Sequence, residues 1–410
     1  MKNSFTKAVV EKGSGVTNNA QKKWNLLAEE VSFPTAVLNE QALTNNARWM
    51  QRFSDESAVK LAPHGKTSMS PELFQLQLAQ GCWGITLATV PQVVNAYNSG
   101  VKRIMLANQL IGLYHFKLIA DLIIDTDIEL YCFVDSIDNA KALDNYFSSR
   151  GVTLNILLEL GVKGGRCGWR DIANIDSLVD VITQSSSLKL TGLSFYEGVI
   201  HGDNSHQQVC QFIDEVKVLA QRLLTQQKFA LPEVILTGAG SAWYDVVAKE
   251  LLPLTSDFTV VIRPGCYLIH DTGIYQEAQN AIVARSQLAC DIAGDLISSL
   301  ELWAYVHSIP EPGLVIVGLG KRDVAFDAGL PTPEYSYRPG NDKPSKVNGW
   351  QVVKIMDQHC MMEVSLDCDL KPGDLVIFSS SHPCLTFDKW RYIGIRNQDF
   401  TVEKTITTLF

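Results

Sequence analysis

Between about residues 58 and 265 the chain alternates short apolar runs with longer stretches of helical spacing. The apolar runs end near Lys66 (AVKLAPHGK), Thr89 (WGITLAT), Asn108 (RIMLANQ), Asp135 (ELYCFVD), Glu159 (LNILLEL), Phe195 (KLTGLSF), Gly238 (EVILTG) and Gly265 (FTVVIRPG). Between them lie amphipathic segments such as PQVVNAYNSG, GLYHFKLIADLI, IDNAKALDNYF, IDSLVDVIT and QQVCQFIDEVKVLAQRLL. Continuous apolar runs suit strands buried on both faces, and a helix after each one returns the chain for a parallel neighbour. Eight such units in a row predict an α/β fold closed into a (β/α)8 TIM barrel. An open doubly wound sheet is the alternative; the unchanged pattern favours closure.

After about residue 275 the helical period fades. LISSLELWAYVHSI, GLVIVGLGK, WQVVKIMDQHCMMEVS and DLVIFSSS read as strands broken by Gly and Pro, which predicts a separate all-β domain over 276–410. The barrel then covers 40–275. Within 1–39, residues 1–32 are polar and read as peripheral, while FPTAVLN at 33–39 is a short strand expected to join the β domain. PTPEYSYRPGNDKPS at 331–345 reads as a loop.

On this count Lys66 ends strand one, in Pro63-His64-Gly65-Lys66-Thr67, and Ser70-Pro71-Glu72 opens the following helix with a serine cap, a proline in the first turn and an acid. The rim at the strand ends is where such barrels keep their active sites. A lone lysine there is often a plain surface charge, but apolar flanks suit one with a lowered pKa. Strand seven ends in Thr237-Gly238-Ala239-Gly240-Ser241 and strand eight in Arg263-Pro264-Gly265-Cys266-Tyr267. Loops after strands seven and eight form the usual phosphate site of this barrel, with glycines admitting close approach and a helix start offering N–H groups. An ordinary tight turn is the alternative for TGAGS. A lysine opposite a phosphate pocket suggests pyridoxal phosphate, its aldehyde bound by the lysine. On the same rim, Arg166 of GRCG could bond the phenolic oxygen or be a solvated charge, and Tyr196 of YEGVIHG could meet the ring or be core packing.

In the β domain, SHPCLTFDKW places His382 and Cys384 two residues apart. On an extended segment both side chains face one centre, and both are natural zinc ligands that leave positions open for water or substrate. His359-Cys360 is a competitor, but adjacent strand residues point to opposite faces.

Composition adds exclusions. The 410 residues are 46% apolar and 19% charged with a net charge of -9 and no basic stripe, which argues against nucleic-acid or anionic-membrane partners. The most apolar region, near 116–134, is interrupted by Asp121, Asp125, Asp127 and Glu129, so no membrane span is expected. MKNSFTKAVVEKGSG lacks the apolar core of a signal peptide, and nine cysteines then suggest reduced thiols in the cytoplasm.

Taken together, PHGKT, GRCG, YEG..HG, TGAGS, RPGCY and SHPCLTFDKW resemble the D-serine dehydratase / D-threonine aldolase family over about residues 33–395. The resemblance implies an alanine-racemase-like barrel with a C-terminal β domain, pyridoxal phosphate and Zn2+ as cofactors, and a homodimer. By motif, Lys66 would form the Schiff base with His64 beside it. Arg166 would lie by the phenolic oxygen and Tyr196 by the ring. Gly238, Gly240 and Ser241 would hold the phosphate with Cys266 and Tyr267 alongside, and His382 and Cys384 would hold zinc. The implied reaction is β-elimination from a D-3-hydroxy amino acid, D-serine or a relative, giving a keto acid and ammonia. Within the family, LAPHGKT and GCYLIHD most resemble bacterial sequences called amino-acid or D-serine deaminases. Ala62, Gly65, Ala239 and Leu385 depart from the common pattern and leave the substrate open. Aldol cleavage, racemisation and a non-catalytic pyridoxal-phosphate carrier are the rival readings.

Overall fold

The computed structural model describes residues 11–13 and 23–410. They divide into two compact units. One comprises Ala47–Tyr267 and Ala278–Asp295; the other takes the chain up to Asn46, Leu268–Glu277 and Leu296–Phe410.

In the first unit one parallel sheet contains β1 (Lys60–Leu61), β2 (Ile85–Leu87), β3 (Arg103–Gln109), β4 (Glu129–Val134), β5 (Leu154–Leu160), β6 (Leu188–Phe195), β7 (Ile235–Gly238) and β8 (Thr259–Ile262). β1 pairs with β8, Lys60 opposite Val261 and Leu61 opposite Ile262. On its other side β1 meets β2: Trp83 N–H donates to Leu61 O at 2.8 Å, and Thr86 N–H to Pro63 O at 2.9 Å. The ring is therefore closed, which removes the open-sheet alternative. Its bore is filled by Ala62, Met105, Tyr131, Phe133, Leu157, Ile235 and Val261, all buried. An eight-stranded barrel is just wide enough for side chains to fill, and the small Ala62 leaves room for the two aromatic rings.

The second unit is an 11-stranded, mainly antiparallel sheet. Thr35–Asn39 lies inside it, antiparallel to Leu300–Glu311 and parallel to Tyr392–Arg396. Its core gathers Trp24, Leu26, Val37, Trp303, Tyr337, Leu375, Ile377 and Val402. Three readings from sequence are corrected. The stretch read as a loop contains a strand, Thr332–Tyr337, paired with Leu375–Ser379. Its prolines masked it; a register shift between Pro333 and Tyr335 absorbs the irregularity, while Pro333 and Tyr337 are both buried. Second, the N-terminal segment is not all peripheral. Trp24–Asn25 pairs with Thr401 and Val402, and Trp24 and Leu26 are buried. The part of that reading on residues 1–10 and 14–22 lies outside the described residues.

Third, the units are not divided by a single cut at 275. Asn46 donates to Leu268 O and Ile297 O, and Ser299 N–H to Ile269 O, which ties 268–271 into the β unit. Beyond it, Tyr244 donates to Gln279 at 2.6 Å and Arg285 pairs with Asp245 at 2.7 Å, which holds 278–295 on the barrel. Among the described residues no helix is long and apolar enough to cross a membrane.

The tightest strand approach gives a stability prediction. A Cβ on Gly192 of β6 would lie 1.9 Å from the backbone oxygen of Ile235 in β7, an atom that cannot move without breaking the barrel ladder. Gly192→Ala is expected to lose about 3 kcal/mol of stability, measured by chemical denaturation, the upper end for overpacking. A wild-type midpoint would show that the ladder yields there.

Candidate active site

β1 passes through His64 into a single 3-10 turn, Gly65–Thr67, before the helix Pro71–Ala79. The turn is pinned by Met69 N–H on Gly65 O at 2.9 Å. Lys66 projects from it and is exposed, so the apolar flanks do not bury the amine. Ser70 stands at the helix cap, but its hydroxyl donates to Glu72 at 2.9 Å rather than accepting a backbone N–H.

The rim is cationic. His64 is kept neutral, its pKa well below the ordinary value through withdrawal of the ring from water and then the charges of Lys66, Arg263 and Arg166. Its Nδ1 is buried without a partner, as is Thr237 Oγ1. The Arg166 guanidinium lies over the Tyr196 ring at 4.7 Å. Tyr196 has its pKa raised, chiefly by burial and then by Glu197. Glycines let these groups converge: a Cβ on Gly240 would come 3.0 Å from the Tyr196 ring, and one on Gly265 2.7 Å from His64 O. Cys266 Sγ lies 3.8 Å from Thr67 Oγ1, and its N–H donates to Ser241 Oγ at 3.4 Å.

Two predicted site residues are placed differently. Gly238 lies in β7 under the Phe195 ring, which a Cβ would meet at 2.4 Å. Tyr267 is buried, its hydroxyl accepting from Gln77 at 3.0 Å, so only its backbone faces the loop. The glycine loop also differs from a free anion cradle. Glu197, fully buried, accepts from Ala239 N–H at 3.0 Å and Gly240 N–H at 3.1 Å. Ala239 has φ +68, a left-handed conformation that explains why glycine suits this position. Arg263, also buried, donates to Ser194 Oγ at 3.1 Å and Phe195 O at 2.7 Å. Burial lowers its pKa to about 10, opposed by Glu159 and Glu197, and burial raises that of Glu197. Neither charge was assigned a role from sequence; a Glu or Arg directly after a buried strand was the available signal.

Asp135, Glu159 and Cys167 form a further group with one ligand-type atom each within 4.8 Å of the others. Asp135 accepts from Gly168 N–H at 2.8 Å and so anchors the loop that carries Arg166, while Glu159 accepts from Gln109 at 2.5 Å.

The β unit holds the second cluster. The His382–Cys384 segment is not extended as expected: Pro383–Phe387 is a helical turn with His382 at its N-cap, because Pro383 fits a first helical position. The side chains still meet. His382 hydrogen-bonds Cys384, and its Nδ1 lies 2.7 Å from Asp327 Oδ2. The Cys384 bond and Asp327 lift its pKa to about 9 against the effect of burial. Asp271 has Oδ1 bonded to the N–H groups of Gly273, Tyr275 and Gln276, while Oδ2 is buried without a partner. Burial pushes its pKa up to about 6, and His382 acts against that. Asp388 senses Cys384, Asp327 and His382 as well. His359 and Cys360 do not converge in this way; Cys360 is buried in a strand while His359 lies 6.1 Å from His307.

These observations fit the two implied groups. The barrel offers an amine for an aldehyde, a tyrosine ring, and cations with unpaired buried polar atoms for a phosphate dianion. The β unit offers an imidazole and a thiol close enough to touch one ion, amid carboxylates that favour a dication.

Residues 38–270 match the alanine racemase N-terminal domain, and 299–395 a putative serine dehydratase domain. A D-threonine aldolase from Arthrobacter sp is 26% identical over 320 residues, 76% of this chain and 79% of that protein. A D-threo-3-hydroxyaspartate dehydratase from Delftia sp. is 28% identical over 136 residues, 33% of this chain and 35% of that one. In fold, the chain matches a D-threonine aldolase from Filomicrobium marinum with a TM-score of 0.74 at 20% identity, covering 92% of this chain and 95% of that one. The barrel thus defines a protein of the alanine racemase class. With its serine dehydratase-type β unit, the chain belongs to the D-serine dehydratase / D-threonine aldolase-like family.

Glu197 supplies a test of the rim. Glu197→Ala strips the partner from two N–H groups and is expected to cost about 3 kcal/mol, at 1–3 kcal/mol for each unsatisfied buried group. Glu197→Gln keeps one acceptor oxygen and should lose less. Equal melting of Ala and Gln variants by calorimetry would contradict this.

Proposed function

We propose that this protein is a pyridoxal-phosphate-dependent lyase, with zinc as a second cofactor, that eliminates water from a D-3-hydroxy amino acid to leave an enamine, whose hydrolysis takes up water and gives a keto acid and ammonia. The observation that carries the reading is the His382–Cys384 pair in a chain whose barrel presents Lys66 beside a cationic pocket. When bound, pyridoxal phosphate draws electrons from Cα into its ring and zinc takes up charge on the departing hydroxyl.

The chain supplies the rest. Lys66 Nζ stands exposed to accept the cofactor aldehyde and, once freed, to take the Cα proton as general base. Arg166, stacked on Tyr196, presents a cation at the pocket. Ser241, with the Cys266–Tyr267 backbone alongside, would meet the phosphate, while Glu197 holds the N–H groups of Ala239 and Gly240. His382 and Cys384 would ligate the metal, and a thiolate ligand favours zinc over magnesium or calcium. D-serine and D-threo-3-hydroxyaspartate are the leading substrates, the latter supported by the dehydratase relative. The 26% identity to a D-threonine aldolase over 76% of this chain favours cleavage of Cα–Cβ as the second reading.

Two measurements decide. Borohydride reduction of the purified, yellow protein should fix the cofactor to the single peptide containing Lys66, and Lys66→Ala should take no label; label elsewhere would end this assignment. With a panel of D-3-hydroxy amino acids, a keto acid and ammonia are expected, and chelation should abolish their formation while leaving the cofactor absorbance intact. Glycine and an aldehyde as main products would establish the aldolase instead.

A further inference from the structure

His382 is held by two sets of contacts. Its backbone is fixed locally: the N–H donates to Ser380 Oγ at 3.1 Å, and the C=O accepts from Thr386 Oγ1 at 2.9 Å. Its ring is fixed from afar, by Asp327 at Nδ1, 55 residues earlier. The segment carrying Asp327 follows the 380–390 stretch contact by contact. Asp323 O accepts from the Trp390 indole at 2.7 Å, Ala325 N–H donates to Thr386 Oγ1 at 3.1 Å, and Gly329 O accepts from Ser381 Oγ at 2.7 Å. Asp327 lies between these anchors and is the member that reaches a side chain bearing chemistry.

A neutral imidazole offers one lone pair, and a carboxylate accepts but cannot donate. A carboxylate at Nδ1 therefore places the ring proton on Nδ1 and leaves the lone pair on Nε2 for a ligand. Asp327 is not itself part of a ready-made ligand group. Among the described residues, the one set of three metal-type side chains within 4.8 Å of one another is Asp135, Glu159 and Cys167.

We infer that Asp327 is a positioning residue for the metal centre: it fixes the tautomer and ring orientation of His382 so that Nε2 and the Cys384 sulfur meet one divalent ion. The inference rests on the metal reading above and adds a residue to it. Asp327 is 41% exposed, so its removal opens no buried hole.

The test uses the full-length holoprotein, stripped of metal by chelation and titrated with Zn2+ against a chromophoric chelator. Asp327→Ala is expected to bind zinc about 10–100-fold more weakly than wild type, the usual loss for such a supporting carboxylate. Asp327→Asn, whose amide oxygen still accepts from Nδ1–H, should recover most of that loss. Substitution with Co2+ gives a second readout: the thiolate charge-transfer band should persist in Asp327→Asn, as in wild type. Cofactor absorbance should be unchanged in both variants, which reports an intact barrel. Wild-type affinity in Asp327→Ala overturns the positioning role and leaves the metal reading standing. Equal loss in Ala and Asn would make Asp327 a ligand and overturn it too. Failure of the wild-type protein to bind zinc would sink the metal reading itself.

Discussion

The barrel rim depends on two charges that the chain keeps out of water. Arg263, at the end of β8, reaches across to Ser194 and the carbonyl of Phe195 at the end of β6. Glu197, two residues past β6, reaches the amides of Ala239 and Gly240 after β7. Three successive strand ends are thereby laced together by groups that would each cost several kcal/mol to bury alone. Each charge lies in the field of the other, and each bonds backbone or hydroxyl partners. The loops between these strands are the ones that present Tyr196, Ser241 and Cys266. Their position is set by this buried pair more than by the glycines, whose part is to let Tyr196 and His64 come close.

The same pair shows where reading a sequence stops. The eight strand ends were legible because apolar runs and helical spacing are local, and Lys66 was legible because it stands where one such run ends. The standing of Glu197 and Arg263 was not, because FYEGVI and VVIRPG look alike whether the charge faces water or a partner on a neighbouring strand. In the β unit the pairing of His382 with Cys384 was legible but its geometry was not. Two residues apart suggested an extended segment, whereas Pro383 starts a helical turn and the side chains meet from its N-cap and its second residue. Asp327 had no local signal at all; it meets His382 only through a segment folded back over 55 residues. Strand Thr332–Tyr337 was hidden for the opposite reason, since its prolines spoke locally for a loop while tertiary pairing with Leu375–Ser379 prevailed.

The charges that act on the histidine of each unit differ in sign, cations on His64 and a carboxylate and thiol on His382. On the barrel, His64 is kept neutral by burial first and then by the charges of Lys66, Arg263 and Arg166, surroundings that suit a dianion better than a cation. In the β unit, Asp271, Asp327 and Asp388 lie in the field of an imidazole and a thiol, and the Cys384 bond and Asp327 draw His382 toward protonation. A bound dication would take the place of that proton, meeting the nitrogen lone pair, the sulfur and the unpaired Asp271 field with one charge. An anion placed there would face three carboxylates. A carrier of pyridoxal phosphate has use for the first arrangement alone. The proposed elimination would use the second arrangement, with a dication there taking up charge on the departing hydroxyl.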